Sequence, residues 1–222
     1  MRRFLHDNAL AVFFGVLFLA TLAGQSVAGY YTFNDEAATH GESTLSYPRY
    51  LVSSAFGQAV LENWQSEYLQ FFLFIAATIW LVQKGSPEST KTPGRGTDRE
   101  QRVGQHALET SPRWASVGGV RQTLYSYSLL IVMGVLFLGS WAGQSVTGWT
   151  ELSDQQRAHG EAGVSYLAYL GRPEFWEDTT QNWQSEFLAV GTMVIFAVYL
   201  RARGSAESKP VGTPHEETTS TD

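Results

Sequence analysis

The sequence predicts an all-α membrane protein of four transmembrane helices, arranged as two tandem parallel-repeat helical hairpins. Three observations point that way: four apolar blocks, an internal repeat, and basic residues confined to particular segments. Mean hydropathy is only −0.14, because the polar segments between the blocks offset them in the average.

The first block, "LAVFFGVLFLATLAGQSVAG", lies within an uncharged stretch from Asn8 to Asn34. Further blocks follow at Tyr68–Gln83, Ser126–Thr150 and Phe187–Leu200. The two long blocks exceed the roughly 20 residues that a helix needs to cross a bilayer. The N-terminal block also has the look of a secretory signal, with a basic start and a Ser-Val-Ala end. The expectation is that it is retained, since "GVLFL…AGQSV" recurs deep in the chain at Gly134–Val146.

That recurrence is part of a longer self-match. Sliding Gly15–Leu19 onto Gly134–Leu138 also carries Ala23–Val27 onto Ala142–Val146 and His40-Gly41-Glu42 onto His159-Gly160-Glu161. The same shift carries Ser46-Tyr47, Tyr50-Leu51 and Asn63–Glu67 onto Ser165-Tyr166, Tyr169-Leu170 and Asn182–Glu186. Roughly two in five aligned positions are identical, without a gap, which indicates internal duplication. Each copy reads as a long apolar helix, a polar loop, a shorter apolar helix and "GS-x-ES". The organisation is then a first membrane unit at 1–84, a flexible linker at 85–122, a second unit at 123–203 and a disordered tail at 204–222. The linker and tail are rich in Ser, Thr, Pro, Gly and charge and cannot bury a core.

Orientation follows from charge. Of 15 Lys and Arg, only Arg49, Arg157 and Arg172 fall in the two polar loops. The positive-inside tendency puts both termini and the linker in the cytoplasm and both loops outside. Those loops are acidic, at about −4 for Tyr30–Glu67 and about −5 for Trp149–Glu186.

The second helix of each copy is short if Glu67 and Glu186 stay in water. The run from Glu67 to Lys84 rises only about 24 Å, against a hydrocarbon core of about 30 Å. Extending the helix upward through "NWQSE" solves this and sets Trp64 and Trp183 at the headgroup level as interfacial anchors. Asn63, Ser66 and Glu67 then share a face that turns inward, away from lipid. Gln25 and Ser26 reach a similar depth on the first helix, as do Gln144 and Ser145 beside Asn182, Ser185 and Glu186. The expectation is a polar intramembrane layer in which Gln-Ser of one helix clasps Ser-Glu of the next. The small residues around Gly15, Gly24, Gly134 and Gly143 would let the helices approach.

His40, Glu42, His159 and Glu161 supply enough donors for a tetrahedral metal site between the copies. Two other readings stand beside it: surface helices ("NDEAATH", "SDQQRAH") capped by glycine, and histidines that sense outer pH. The chain has no cysteine, which excludes disulfides and thiolate metal sites. It shows no phosphate loop, no nucleophile elbow, no His-Glu-x-x-His and no nucleic-acid motif, and calls for no cofactor.

The words "GQSVAG…HGE…ENWQSEYLQ…LVQKGSPES" resemble a family of small bacterial membrane proteins labelled only as a domain of unknown function. That resemblance covers both copies and implies a multi-pass protein of the bacterial cytoplasmic (inner) membrane, with no activity attached. The second copy departs from it at Phe187, Ala189 and Ala206. The leading functional expectation is a non-enzymatic structural or partner-binding component acting through acidic outer loops. Besides the lipid bilayer, its partner would be a second copy or another membrane protein, not nucleic acid. The alternative is an ion- or proton-coupled transporter using Glu67, Glu186, Gln25 and Gln144, and a third is a metal-assisted membrane enzyme.

Overall fold

The computed structural model describes residues 2–90 and 94–218. Residues 91–93 of the expected linker and 219–222 of the expected tail lie outside the described residues. Among the described residues the chain is helical, with no strand. In order it forms α1 (Arg2–Asp7), α2 (Ala9–Thr39), α3 (Tyr47–Leu51), α4 (Ser54–Trp80), α5 (Arg113–Ser116), α6 (Gly119–Ser126), α7 (Ser128–Ala158), α8 (Tyr166–Leu170) and α9 (Pro173–Tyr199). A single 3-10 turn covers Gly104–His106 in the linker.

The helices begin and end where local chemistry requires. Asn8 separates α1 from α2 yet stays in the ladder, with its N–H on Phe4 O at 3.0 Å and its carbonyl accepting from Val12 N at 3.0 Å. Tyr127, the matching residue of the second copy, does the same between Thr123 and Ile131. At the far ends, Gly41 and Gly160 take φ of +72° and +77°, the left-handed turn that glycine reaches without cost. There Glu42 N bonds Ala37 O and Glu161 N bonds Gln156 O, both at 2.8 Å, so each long helix stops in a Schellman cap. Helix α4 starts where Ser53 Oγ accepts the N–H of Phe56. Helix α9 starts with Pro173 at its first turn, followed by Glu174, both favoured at an N-terminus.

One feature differs from the sequence reading. "NDEAATH" and "SDQQRAH" are not separate surface helices; they are the last turns of α2 and α7. A polar segment extends a helix cheaply when the turns beneath it are already formed. Helices α4 and α9 do run through "NWQSE", each reaching 27 residues. Among the described residues, α2 and α7 are long and apolar enough to cross a membrane.

The chain divides into two compact units, Met1–Leu61 with Gly143–Gly171, and Glu62–Ala142 with Arg172–Asp222. Compactness therefore groups pieces of both sequence copies, and α4 and α7 each contribute to both units. In the first unit, Tyr50 and Tyr169 are buried against α2 and α7. A Cβ at Gly29 would collide with the Tyr50 hydroxyl, and one at Gly148 with that of Tyr169. In the second unit, an aromatic cluster surrounds Trp141. Its ring stacks on Phe137 at 5.7 Å and on Phe175 at 6.3 Å, and meets Trp183 at 5.7 Å.

Candidate functional site

The strongest candidate is a cavity of about 720 Å³ inside the first unit, lined by the C-terminal turns of α2 and α7 and by the α3–α4 corner. Its polar walls carry Glu36, Glu42, Glu151 and Asp154, with Arg49 as the cation among them, and His40 and His159 at the rim.

The walls are positioned by a local anchor made twice. Tyr47 OH and Ser26 Oγ are 2.7 Å apart, and Tyr166 OH and Ser145 Oγ are also 2.7 Å apart. Ser26 spends its proton on Ala23 O at 2.8 Å, so the Tyr47 hydroxyl is the donor in its pair. Each Ser-Tyr-x-x-Tyr-Leu word thus puts its first tyrosine on the serine of Gln-Ser-Val and its second on the following glycine. The loop is drawn back along the helix that precedes it. Asn34 adds a second tie in the first copy, donating to Leu45 O at 3.0 Å and accepting from Leu45 N at 2.7 Å. In the second copy Trp149 Nε1 donates to Val164 O at 2.7 Å.

The electrostatics of the cavity run against helix stability. A helix C-terminus carries about half a negative charge, and stability there favours cations. Two such ends face this cavity, yet the side chains placed among them are mainly carboxylates. Neutralisation is partial. Asp154 pairs with Arg157 at 2.7 Å. Glu151 accepts from Ser54 Oγ at 2.8 Å and from Gln155 Nε2 at 3.2 Å. Among the described residues Glu36, Glu42 and Arg49 form no ion pair. Burial, and then the Glu151 charge, push the Tyr50 hydroxyl above its ordinary range, so it stays protonated. Each imidazole is tied to its own helix: His40 Nδ1 to Glu36 O at 2.9 Å and His159 Nδ1 to Gln155 O at 2.8 Å. A carbonyl can only accept, so Nδ1 carries hydrogen in both.

The residues of the expected metal site come together only in part. His40, Glu42 and His159 do line one cavity, but Glu161 is not part of its wall. Among the described residues no three His, Asp or Glu side chains gather as a metal site. Nδ1 of each histidine is held by its own helix end, and although the two glycine turns have the same geometry, Glu42 enters the wall and Glu161 does not.

The expected intramembrane layer is partly rearranged. Ser26, Ser66, Gln144 and Ser145 are buried, Asn182 and Glu186 half-buried, and Gln25, Asn63, Glu67 and Ser185 exposed. The buried positions of α4 here are Gln65 and Ser66 rather than Asn63 and Glu67. Ser26 and Ser145 bond tyrosines, not the clasp. Instead, the two copies of the pentapeptide meet in the second unit. Asn182 Nδ2 donates to Glu62 Oε1 at 2.6 Å, Trp183 Nε1 to Gln65 Oε1 at 2.7 Å, and Ser66 Oγ to Glu186 Oε1 at 3.5 Å. Trp183 is therefore engaged with protein, and Trp64 is 36 % exposed. Gln65 is fully buried, and its Nε2 has no partner among the described residues.

The anchoring tyrosines were missed as site residues, although Ser46-Tyr47 and Tyr50-Leu51 stood in the repeat. The words that recur together along the chain were the available signal. Over residues 1–220 the chain matches the family described as Domain of unknown function (DUF6766). No curated protein and no solved structure matches it. The chain belongs to that family.

Proposed function

We propose that this family member is a non-enzymatic, four-span membrane protein whose outer cavity binds a cationic group of a partner. Both termini lie on the cytoplasmic side in this reading, and the cavity faces outward. The scarcity of Lys and Arg in the two polar loops supports that orientation. The 27-residue lengths of α4 and α9, about 40 Å of rise each, support their crossing as well.

The observation that carries the binding role is the gathering of carboxylates where two helix C-termini already supply negative potential. Folding alone would favour basic residues there, so the charge is explained by a ligand that supplies the missing cation. The size suits an organic cation such as one basic side chain with its backbone, within the usual 300–1,000 Å³ of ligand pockets. A labelled lysine- and arginine-bearing tetrapeptide, titrated into full-length protein in nanodiscs, tests it. Saturable binding weakened about tenfold, or about 1.4 kcal/mol, by Glu36→Gln with Asp154→Asn is expected. Absence of saturable binding, or binding indifferent to both changes, contradicts it.

A second reading, proton- or ion-coupled transport, is favoured by the Glu62–Asn182, Gln65–Trp183 and Ser66–Glu186 seam with its unpartnered amide. Purified protein in liposomes would then pass a current that Glu62→Gln with Glu186→Gln abolishes. No flux under any imposed gradient removes that reading.

A further inference from the structure

We infer that the helical end of the linker, with α6, is an interfacial foot that seats on anionic lipids of the cytoplasmic leaflet. The inference rests on the reading above that α7 crosses the membrane with the linker on the cytoplasmic side, and it does not depend on the cavity.

Within the second compact unit the linker from Gly94 onward is held at both ends. Gly94 N donates to Ile79 O at 2.7 Å, which returns the chain to the last turn of α4. Arg95 then lies over the ring of Trp80 at 6.0 Å and over that of Tyr127, the residue joining α6 to α7, at 5.3 Å. Towards the other end, Leu108 N donates to Ser111 Oγ at 2.9 Å. There α5 packs on both the 3-10 turn and α6, with Ala115 buried.

The packed side of α6 is polar and its open side apolar. Gln122 turns toward the rest of the segment: its Oε1 would lie 3.9 Å from a Cβ at Gly104 or at Gly118. Val120 and Leu124, on the opposite side of the helix, are 75 % and 47 % exposed. Trp114 and Val117, at the end of α5, are exposed as well. A helix in water turns its apolar side inward, so this face calls for a cover. What covers it follows from α7. Tyr127 keeps α6 and α7 in one ladder. At about 3.6 residues per turn, Val120, Leu124, Ile131, Val135 and Leu138 then fall in one stripe, and all five are exposed. The stripe that α7 turns to lipid runs on past the end of the span and along α6.

Charge specifies the lipid. Arg121 flanks the stripe on α6, Arg113 adjoins Trp114, and both are exposed. Among the described residues neither they nor Arg95 form an ion pair. From Thr110 to Thr150 the chain has no Asp or Glu to oppose them. A guanidinium laid against aromatic rings keeps its N–H edge for a phosphate oxygen. Trp80, Trp114 and Tyr127 supply the indole and phenol rings that favour the headgroup level. Basic residues beside an apolar face are the pattern that binds a helix to an anionic membrane surface.

The chain has no native cysteine, so Val120→Cys and Val135→Cys can each carry one spin label in full-length protein in nanodiscs. In mixed phosphatidylglycerol and phosphatidylcholine, both labels should collide with oxygen more than with a water-soluble nickel chelate. In phosphatidylcholine alone, the label at position 135 should keep that profile while the one at 120 opens to nickel. In the mixed nanodiscs, Arg113→Gln with Arg121→Gln should shift position 120 toward water by roughly fivefold for each arginine lost. Circular dichroism on each variant confirms that the helices remain. A label in water at 120 beside a label in lipid at 135 overturns this inference alone and leaves the face to a protein partner. A label at 120 indifferent to lipid charge or to the loss of both arginines also overturns it. A label in water at 135 removes the span itself, and the inference with it.

Discussion

Helices α2 and α7 are written with nearly the same words, yet their glycines meet different surroundings. On α7 a Cβ at Gly134 would lie 3.1 Å from Phe72, and one at Gly143 would lie 2.8 Å from Leu61. On α2 the matching Gly15 and Gly24 have nothing within 4 Å. Trp141, hub of the aromatic cluster, stands where α2 has Leu22. The Tyr-Ser and Tyr-Gly anchors, by contrast, agree closely between copies. The lesson is that identical words fixed the local turns that follow each helix, while the residues that differ decide which helix acquires packed neighbours.

The sharpest way to break this comparison is at the glycines. Gly148→Ala pushes a methyl into the buried Tyr169 hydroxyl and should cost about 2–3 kcal/mol, read as lost thermal stability in detergent. Gly15→Ala meets open space and should gain up to about 1 kcal/mol from helix propensity. Equal effects at the two sites would remove the distinction. Asn34 and Ser153 give a second contrast. Asn34→Ala forfeits both bonds to Leu45 and should cost about 2 kcal/mol. Ser153 sits at the matching position, buried, with an Oγ that has no partner among the described residues. Ser153→Ala should therefore be neutral or stabilising, by at most about 1 kcal/mol; a large loss there would reveal a partner for the hydroxyl.

The smallest effect concerns Arg172 and Glu174, 3.0 Å apart where the first copy has Ser53 and Ala55. Arg172 holds the Glu174 carboxyl below its ordinary range. Whatever stability this gives is present above the ordinary carboxylate pKa and fades as pH falls through the lowered value. Because the pair is open to solvent, Arg172→Ala should leave the melting temperature at pH 7 unchanged within error. A clear drop would show that the turn before α9 depends on it.

Much of the helical layout was legible in the residues. The apolar blocks located the four long helices, and α4 and α9 extend through "NWQSE" as expected. Partnerships were harder to read. Depth along a helix said that Gln25-Ser26 and Ser66-Glu67 share a level, but depth is one coordinate of three. Ser26 pairs with Tyr47 because the Gly41 turn brings the chain back along α2, a path set by cap geometry rather than by hydropathy. The same caps hold His40 and His159 at the ends of α2 and α7, where both reach one cavity. Ser66 meets Glu186 because the face of α4 that is covered is that of Gln65 and Leu69. A pentapeptide alone does not reveal which of its faces a neighbour will take.

Among the described residues Arg49 is the one Lys or Arg in the walls of the acidic cavity, and removing it tests the cation-binding account most directly. In nanodiscs at low salt, Arg49→Gln should bind the basic tetrapeptide several-fold more tightly than the parent, opposite in sign to Glu36→Gln. Weaker or unchanged binding by Arg49→Gln would show that the cavity does not attract positive charge.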